Sequence, residues 1–231
     1  MGVKPVDWFY MNVGIYQGDP DGGRSIGNTL DHLRGPMVMA EPNFLYKIGN
    51  YSGRLGIGAW WNGFEVEEFD NLDSFKEDED LSQQEGEDTV EEIDNQSSFK
   101  EPYGFYLTWD QDLWKEAPEN PEDGQGIGLF GQYGYTSGAF SEVEQYIGGG
   151  MVWTGAIPTR NDDIFGLGAF HVVFSNDVDF EDDSETSIEL FYKAQISPWL
   201  SIKPDVQYIA NPGGDGKDDA LAIGIRWEIV F

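Results

Sequence analysis

The chain has 231 residues, no cysteine, 30 glycines, 15% aromatic residues and a formal charge of -30 from 43 acidic and 13 basic side chains. The acid excess makes nucleic acid a poor partner, since phosphate contacts need clustered lysine and arginine, and the missing cysteines exclude a disulfide framework and thiolate metal sites. No apolar run reaches the ~18 residues of a transmembrane helix, whereas short apolar runs between polar turns indicate one all-β region.

Residues 1–7 contain neither an apolar signal-peptide core nor a small-residue cleavage site. The expectation is that an upstream part of a longer chain is missing. Ten strands are predicted, at 6–16, 41–50, 52–64, 103–114, 126–135, 142–155, 163–174, 185–196, 199–208 and 219–231. Many approach the roughly 9–11 residues that a tilted strand needs to cross a bilayer. Tight junctions are expected at 49–53, 161–162 and 197–198, with long ones at 18–36, 65–101, 114–125, 176–184 and 210–218 and the 135–142 turn on the short side. Short turns at one end and long loops at the other is the outer-membrane arrangement. The stretch 65–101 holds sixteen acidic residues against two lysines and reads as an extended loop.

Several strands alternate between two chemical faces, as a period of two requires. Phe44, Tyr46 and Ile48 oppose Asn43 and Lys47; Leu55, Ile57, Ala59 and Trp61 oppose Arg54, Trp60 and Asn62; Phe105, Leu107 and Trp109 oppose Tyr106, Thr108 and Asp110. Later, Ile188, Leu190 and Tyr192 oppose Glu189, Lys193 and Gln195, and Leu200, Ile202, Val206 and Tyr208 oppose Ser201, Lys203, Asp205 and Gln207. Alternation fails over 142–155 and 163–174, and His171 is assigned to neither side. The last strand is strict: Leu221, Ile223, Ile225, Trp227, Ile229 and Phe231 against Ala220, Ala222, Gly224, Arg226 and Glu228. Lipid outside and water inside satisfy both faces, so the fold expected is a transmembrane antiparallel β-barrel.

The motifs YGFYLTWDQDLW from Tyr103, GIGLFGQYGY from Gly126, YIGGGMVWTGAIPTRNDDIFGLG from Tyr146, ELFYKAQISPWLSIKPDVQYIANPGG from Glu189 and the closing DALAIGIRWEIVF resemble the OprB-like carbohydrate-selective porin family. The resemblance implies a sixteen-stranded porin barrel, a size class that leaves an aqueous channel. Residues 1–231 would then be one barrel region lacking its N-terminal part, with 65–101 as a loop within it. It also implies passive diffusion of small carbohydrates in a bacterial outer membrane, contact with outer-membrane lipid, recognition of Phe231 by the barrel-assembly machinery and a possible homotrimer. No catalytic group, metal or cofactor is expected.

For the pore lining, Arg54, Lys193, Lys203 and Arg226 facing Asp110, Glu189, Asp205 and Glu228, with Gln207, would set up a transverse field and bond sugar hydroxyls. Trp60 and Tyr106 would offer apolar faces to a sugar ring, and Arg160 falls at a turn that the resemblance implies is fixed. The loop clusters Asp177, Asp179, Glu181, Asp182, Asp183 and Asp215, Asp218, Asp219 read as solvated faces, with calcium binding the sharper alternative. Other readings are a general cation-preferring porin without a sugar site, an outer-membrane hydrolase around Asp31 and His32, and a soluble β-sandwich.

Overall fold

The computed structural model describes residues 2–18, 35–69, 99–120 and 123–230, Phe99 in its backbone only. Most of the acidic stretch, 70–98, lies outside the described residues, as do Asp31, His32 and Phe231.

The strands are β1 (Gly2–Val6), β2 (Phe9–Gln17), β3 (Pro36–Ile48), β4 (Tyr51–Asn62), β5 (Val66–Glu67), β6 (Phe99–Lys100), β7 (Tyr103–Lys115), β8 (Gly126–Thr136), β9 (Val143–Thr154), β10 (Ile164–Phe174), β11 (Ser184–Ser197), β12 (Leu200–Ala210) and β13 (Ala220–Ile229). Eleven of them form one sheet in the order β1-β2-β3-β4-β7-β8-β9-β10-β11-β12-β13, each antiparallel to the next. The sheet is an up-and-down meander, with β1 and β13 as its two edges. The short β5 and β6 pair with each other at the two ends of the acidic stretch.

Eleven sheet strands replace the ten expected because a further strand, β1 over Gly2–Val6, precedes the one expected at 6–16: the chain turns at Asp7 and Trp8, so that Val6 pairs with Phe9. Asp7 is a common turn residue, but neither glycine nor proline stands at either position to punctuate the sequence there. By contrast Gly49, at φ +63°, takes the left-handed position of the two-residue turn that joins β3 to β4.

Two connections change ends. In a meander successive turns alternate between ends, which puts 116–125 at the short-turn end and 137–142 at the long-loop end, the reverse of the expectation from loop length. The contacts agree. Phe69 N–H, in the long β4–β7 connection, donates to Ala139 O at 3.0 Å, and Ser175 Oγ, in the β10–β11 loop, donates to Gly138 O at 2.8 Å. The junction expected at 161–162 is wider too, because β9 stops at Thr154 and β10 begins at Ile164, with an isolated bridge between Ile157 and Arg160.

The register separates the chemistry completely. On one face lie Phe44, Leu55, Leu107, Leu129, Met151, Leu167, Leu190, Val206 and Ile223, with their neighbours two residues along each strand. No registered position on that face of β2 to β13 is Asp, Glu, Lys or Arg. Its polar groups are neutral and several are paired: Trp109 Nε1 donates to Tyr46 OH at 2.6 Å, and Tyr133 OH donates to Gln145 Oε1 at 3.3 Å. His171 falls here, between Ile147 and Thr186, with Nδ1 2.8 Å from Thr186 Oγ1.

Among the described residues only Phe174 is a buried hydrophobic side chain, while Ile223, Ile225 and Trp227 are 75%, 69% and 72% exposed. A soluble sandwich would bury this face against a second layer. Here no other layer of described residues covers it. An apolar face of this extent with no charge is what hydrocarbon requires.

Candidate functional site: the polar face

Every registered charge of the eleven-stranded sheet sits on the opposite face, and the charges gather on two flanks. On the first, Arg54 of β4 reaches across to Asp110 of β7, with Nε and Nη2 at 2.7 and 2.5 Å from the same carboxylate oxygen. Its Nη1 donates to Asn43 Oδ1 at 2.9 Å, and Asn43 Nδ2 donates to Glu41 Oε1 at 2.7 Å. Tyr106 OH donates to the other oxygen of Glu41 at 2.8 Å. Asn43 is wholly buried. This is a connected hydrogen-bond network whose members hold one another in place.

On the second flank Lys203 Nζ lies 2.8 Å from Glu189 Oε1 and Lys193 Nζ lies 2.7 Å from Glu228 Oε2, which also accepts from Ser201 Oγ at 3.3 Å. Gln207 Nε2 donates to Asp205 Oδ2 at 3.3 Å. Arg226 is the register partner of Lys203. With Lys203 drawn to Glu189, the Arg226 guanidinium remains exposed beside it on β13. Ion pairs this exposed are each worth little for stability, about 0–1 kcal/mol, so their placement matters more for the field across the face than for the fold.

The structure therefore places Arg54, Trp60, Tyr106, Asp110, Glu189, Lys193, Lys203, Asp205, Gln207, Arg226 and Glu228 on one face. Arg160 does not join them. It sits in the β9–β10 connection, where Nε donates to Asp163 at 2.7 Å. Trp60 and Tyr106, with Tyr146, line a cavity of 210 Å³ near the long-loop end. Among the described residues no three carboxylate or imidazole groups converge as metal ligands would.

Sequence reasoning missed the aromatic residues of this face. Phe130, Tyr146 and Phe170 share it on strands where alternation is not evident in the sequence, and Phe191 shares it on β11, between Glu189 and Lys193. The signal present was the run of glycines at every second position: Gly126 and Gly128, Gly148 and Gly150, Gly166 and Gly168. All of these fall on the polar face, so β8 to β10 lack a registered charge rather than a two-sided pattern.

The comparisons with known proteins agree with the geometry. A solved structure described as the high-pH structure of Pseudomonas putida OprB superposes with a TM-score of 0.76 at 19% identity, over 99% of this chain and 57% of that one. The corresponding low-pH structure superposes with a TM-score of 0.61 at 16% identity, over 99% of this chain and 52% of that one. At such identities the likeness shows the fold, an antiparallel porin-barrel wall. Porin B of Pseudomonas aeruginosa is 24% identical over 97% of this chain and 52% of its own length, so the chain spans about half the length of the curated relative it matches. A family profile described as carbohydrate-selective porin, OprB family, matches residues 2–231, and the chain belongs to that family.

Proposed function

We propose that these residues form a continuous part of the wall of a channel through which small carbohydrates diffuse passively, with no chemistry performed on them. OprB-family porins are proteins of the Gram-negative outer membrane, and that bilayer is the medium of the apolar face. The observation that carries the reading is the complete separation of charge: acids and bases on one face, none registered on the other. The polar face then lines water, with Arg54–Asp110 and Lys203–Glu189 as fixed opposite charges beside a passing polyol. Closure of the barrel by further strands, assembly through Phe231 and association as a homotrimer belong to the same reading.

Liposome swelling tests it. Glucose enters faster than glucuronate at low salt, because the net charge of -30 repels anions. The difference shrinks toward molar salt, where the screening length falls to about 3 Å. No swelling in any sugar overturns the channel. The same charge favours a second reading, a general cation-preferring porin without a sugar site. Concentration-dependent block of the ion current by glucose favours the sugar channel, and its absence favours the general porin.

A further inference from the structure

Between the two charged flanks the polar face changes character. Over 126–134, 146–154 and 164–172 its positions on β8, β9 and β10 carry no charge at all. They carry Phe130, Tyr146 and Phe170 instead, each ring beside glycine. A Cβ on Gly148 would stand 2.5 Å from Phe170 Cδ1, one on Gly168 2.9 Å from Phe170 Cζ, and one on Gly150 2.8 Å from Phe130 Cε1. No ordinary Cβ contact is that short, so only glycine leaves the rings room to lie over the neighbouring strands.

The Phe130 and Phe170 centroids are 6.3 Å apart at 29°, and those of Tyr146 and Phe170 are 6.3 Å apart at 18°. Three strands thus contribute rings whose planes are nearly parallel to one another.

Hydrogen-bonding groups rim these rings. Tyr146 OH donates to Gln132 Oε1 at 3.3 Å. One register row runs from Arg54 through Asp110, Phe130, Gly150 and Gly168 to Glu189, so Phe130 lies between the two charged flanks at a common level of the sheet. Lys203, bonded to Glu189, stands 3.8 Å over the ring of Phe191.

We propose that Phe130, Tyr146 and Phe170 form a stacking platform for one face of a pyranose ring, with Gln132, Glu189 and Lys203 meeting hydroxyls at its rim. The C–H face of a hexopyranose is apolar and slightly positive, which suits the negative face of an aromatic ring. Its hydroxyls project outward, where donors and acceptors wait. A wall serving water and ions alone would gain nothing from such a surface, since channel interiors are polar. The inference rests on the sugar-channel reading and adds which wall of the channel distinguishes a ring from an open chain.

The test is single-channel recording on the polypeptide as its organism makes it, titrated with glucose and with sorbitol, which has the hydroxyls but no ring face. Glucose blocks at the lower concentration. Phe170→Leu and Phe130→Leu, which keep bulk and apolarity, each raise the half-blocking glucose concentration about 5- to 10-fold, the size of one lost stacking contact. The half-blocking concentration of sorbitol rises by a smaller factor.

Phe170→Trp keeps a ring and adds a spectroscopic readout should a leucine variant not fold: emission beyond the wild-type background shifts with glucose and not with sorbitol. Unchanged glucose block in both leucine variants, or an unresponsive tryptophan, overturns the platform while leaving the channel standing. Absence of any sugar block or passage in the unmutated protein overturns the channel reading itself.

Discussion

Asp163 closes the β9–β10 connection by accepting three hydrogen bonds, one from within the connection and two from β11: Arg160 Nε at 2.7 Å, the Gln195 N–H at 2.8 Å and the Tyr192 hydroxyl. Its side chain is 2% exposed. Burial by itself would raise its pKa, but the bonds from Tyr192, Arg160 and the Gln195 backbone and the Arg160 charge outweigh it and hold the carboxyl below the ordinary carboxylate value. A depressed folded pKa means that the stabilisation is present above the unfolded value, about 3.9, and is lost as pH falls through the lower folded value. Asp163→Asn should therefore lower stability at neutral pH by roughly 1–3 kcal/mol. The gap from the unmutated protein should narrow in acid below about pH 4, as the wild-type carboxylate protonates. Urea unfolding in detergent, followed by tryptophan fluorescence from pH 3 to 7 (about four units, spanning the carboxylate range), measures both. A gap that widened in acid would reverse the assignment. In sequence Asp162 and Asp163 are indistinguishable. Only the fold brings Tyr192 and Gln195, some thirty residues on, to one of them.

Strand β13 shows what the sequence discloses about an element and what it conceals. Its alternation is strict because one face meets lipid and the other charged neighbours, and the register with β12 preserves both sets: Ile223 with Val206, Ile225 with Pro204, Trp227 with Ile202 against Arg226 with Lys203 and Glu228 with Ser201. Strands β4, β7, β11 and β12 were legible for the same reason, each carrying charge or amide on one face. Strands β8, β9 and β10 were not, because glycine and phenylalanine on the water side resemble leucine and tryptophan on the lipid side when only hydropathy is read. Face assignment on β13 is therefore the sharpest test at this scale. Ile225→Lys should destabilise the folded barrel by about 2–4 kcal/mol, the penalty for a cation near the bilayer midplane, while Ala222→Lys on the other face of the same strand should change stability little. Folded fraction against urea in lipid vesicles compares the two. Equal losses would mean that the apolar row does not face hydrocarbon.

At the scale of the whole molecule, the sheet leaves one side of β1 and one side of β13 without a strand partner among the described residues. In water such edges invite aggregation; in hydrocarbon each unpaired N–H or C=O costs several kcal/mol, which is why membrane sheets close into barrels. Two closures are available: β1 against β13, or further strands between them. The first makes an eleven-stranded barrel with a lumen largely filled by side chains, and the second the wider channel that sugar passage requires. The relatives, about twice as long as this chain, favour the second. Amide hydrogen exchange in lipid should then find every β13 N–H protected, including those directed away from β12. The chain has no native cysteine, so pairs such as Val3→Cys with Ile223→Cys or Ile225→Cys report cleanly on β1–β13 contact. They should form no disulfide under oxidation. Rapid exchange along the outer edge of β13 would mean an open sheet, and efficient cross-linking would mean the narrow barrel; either result removes the water-filled path on which sugar diffusion depends.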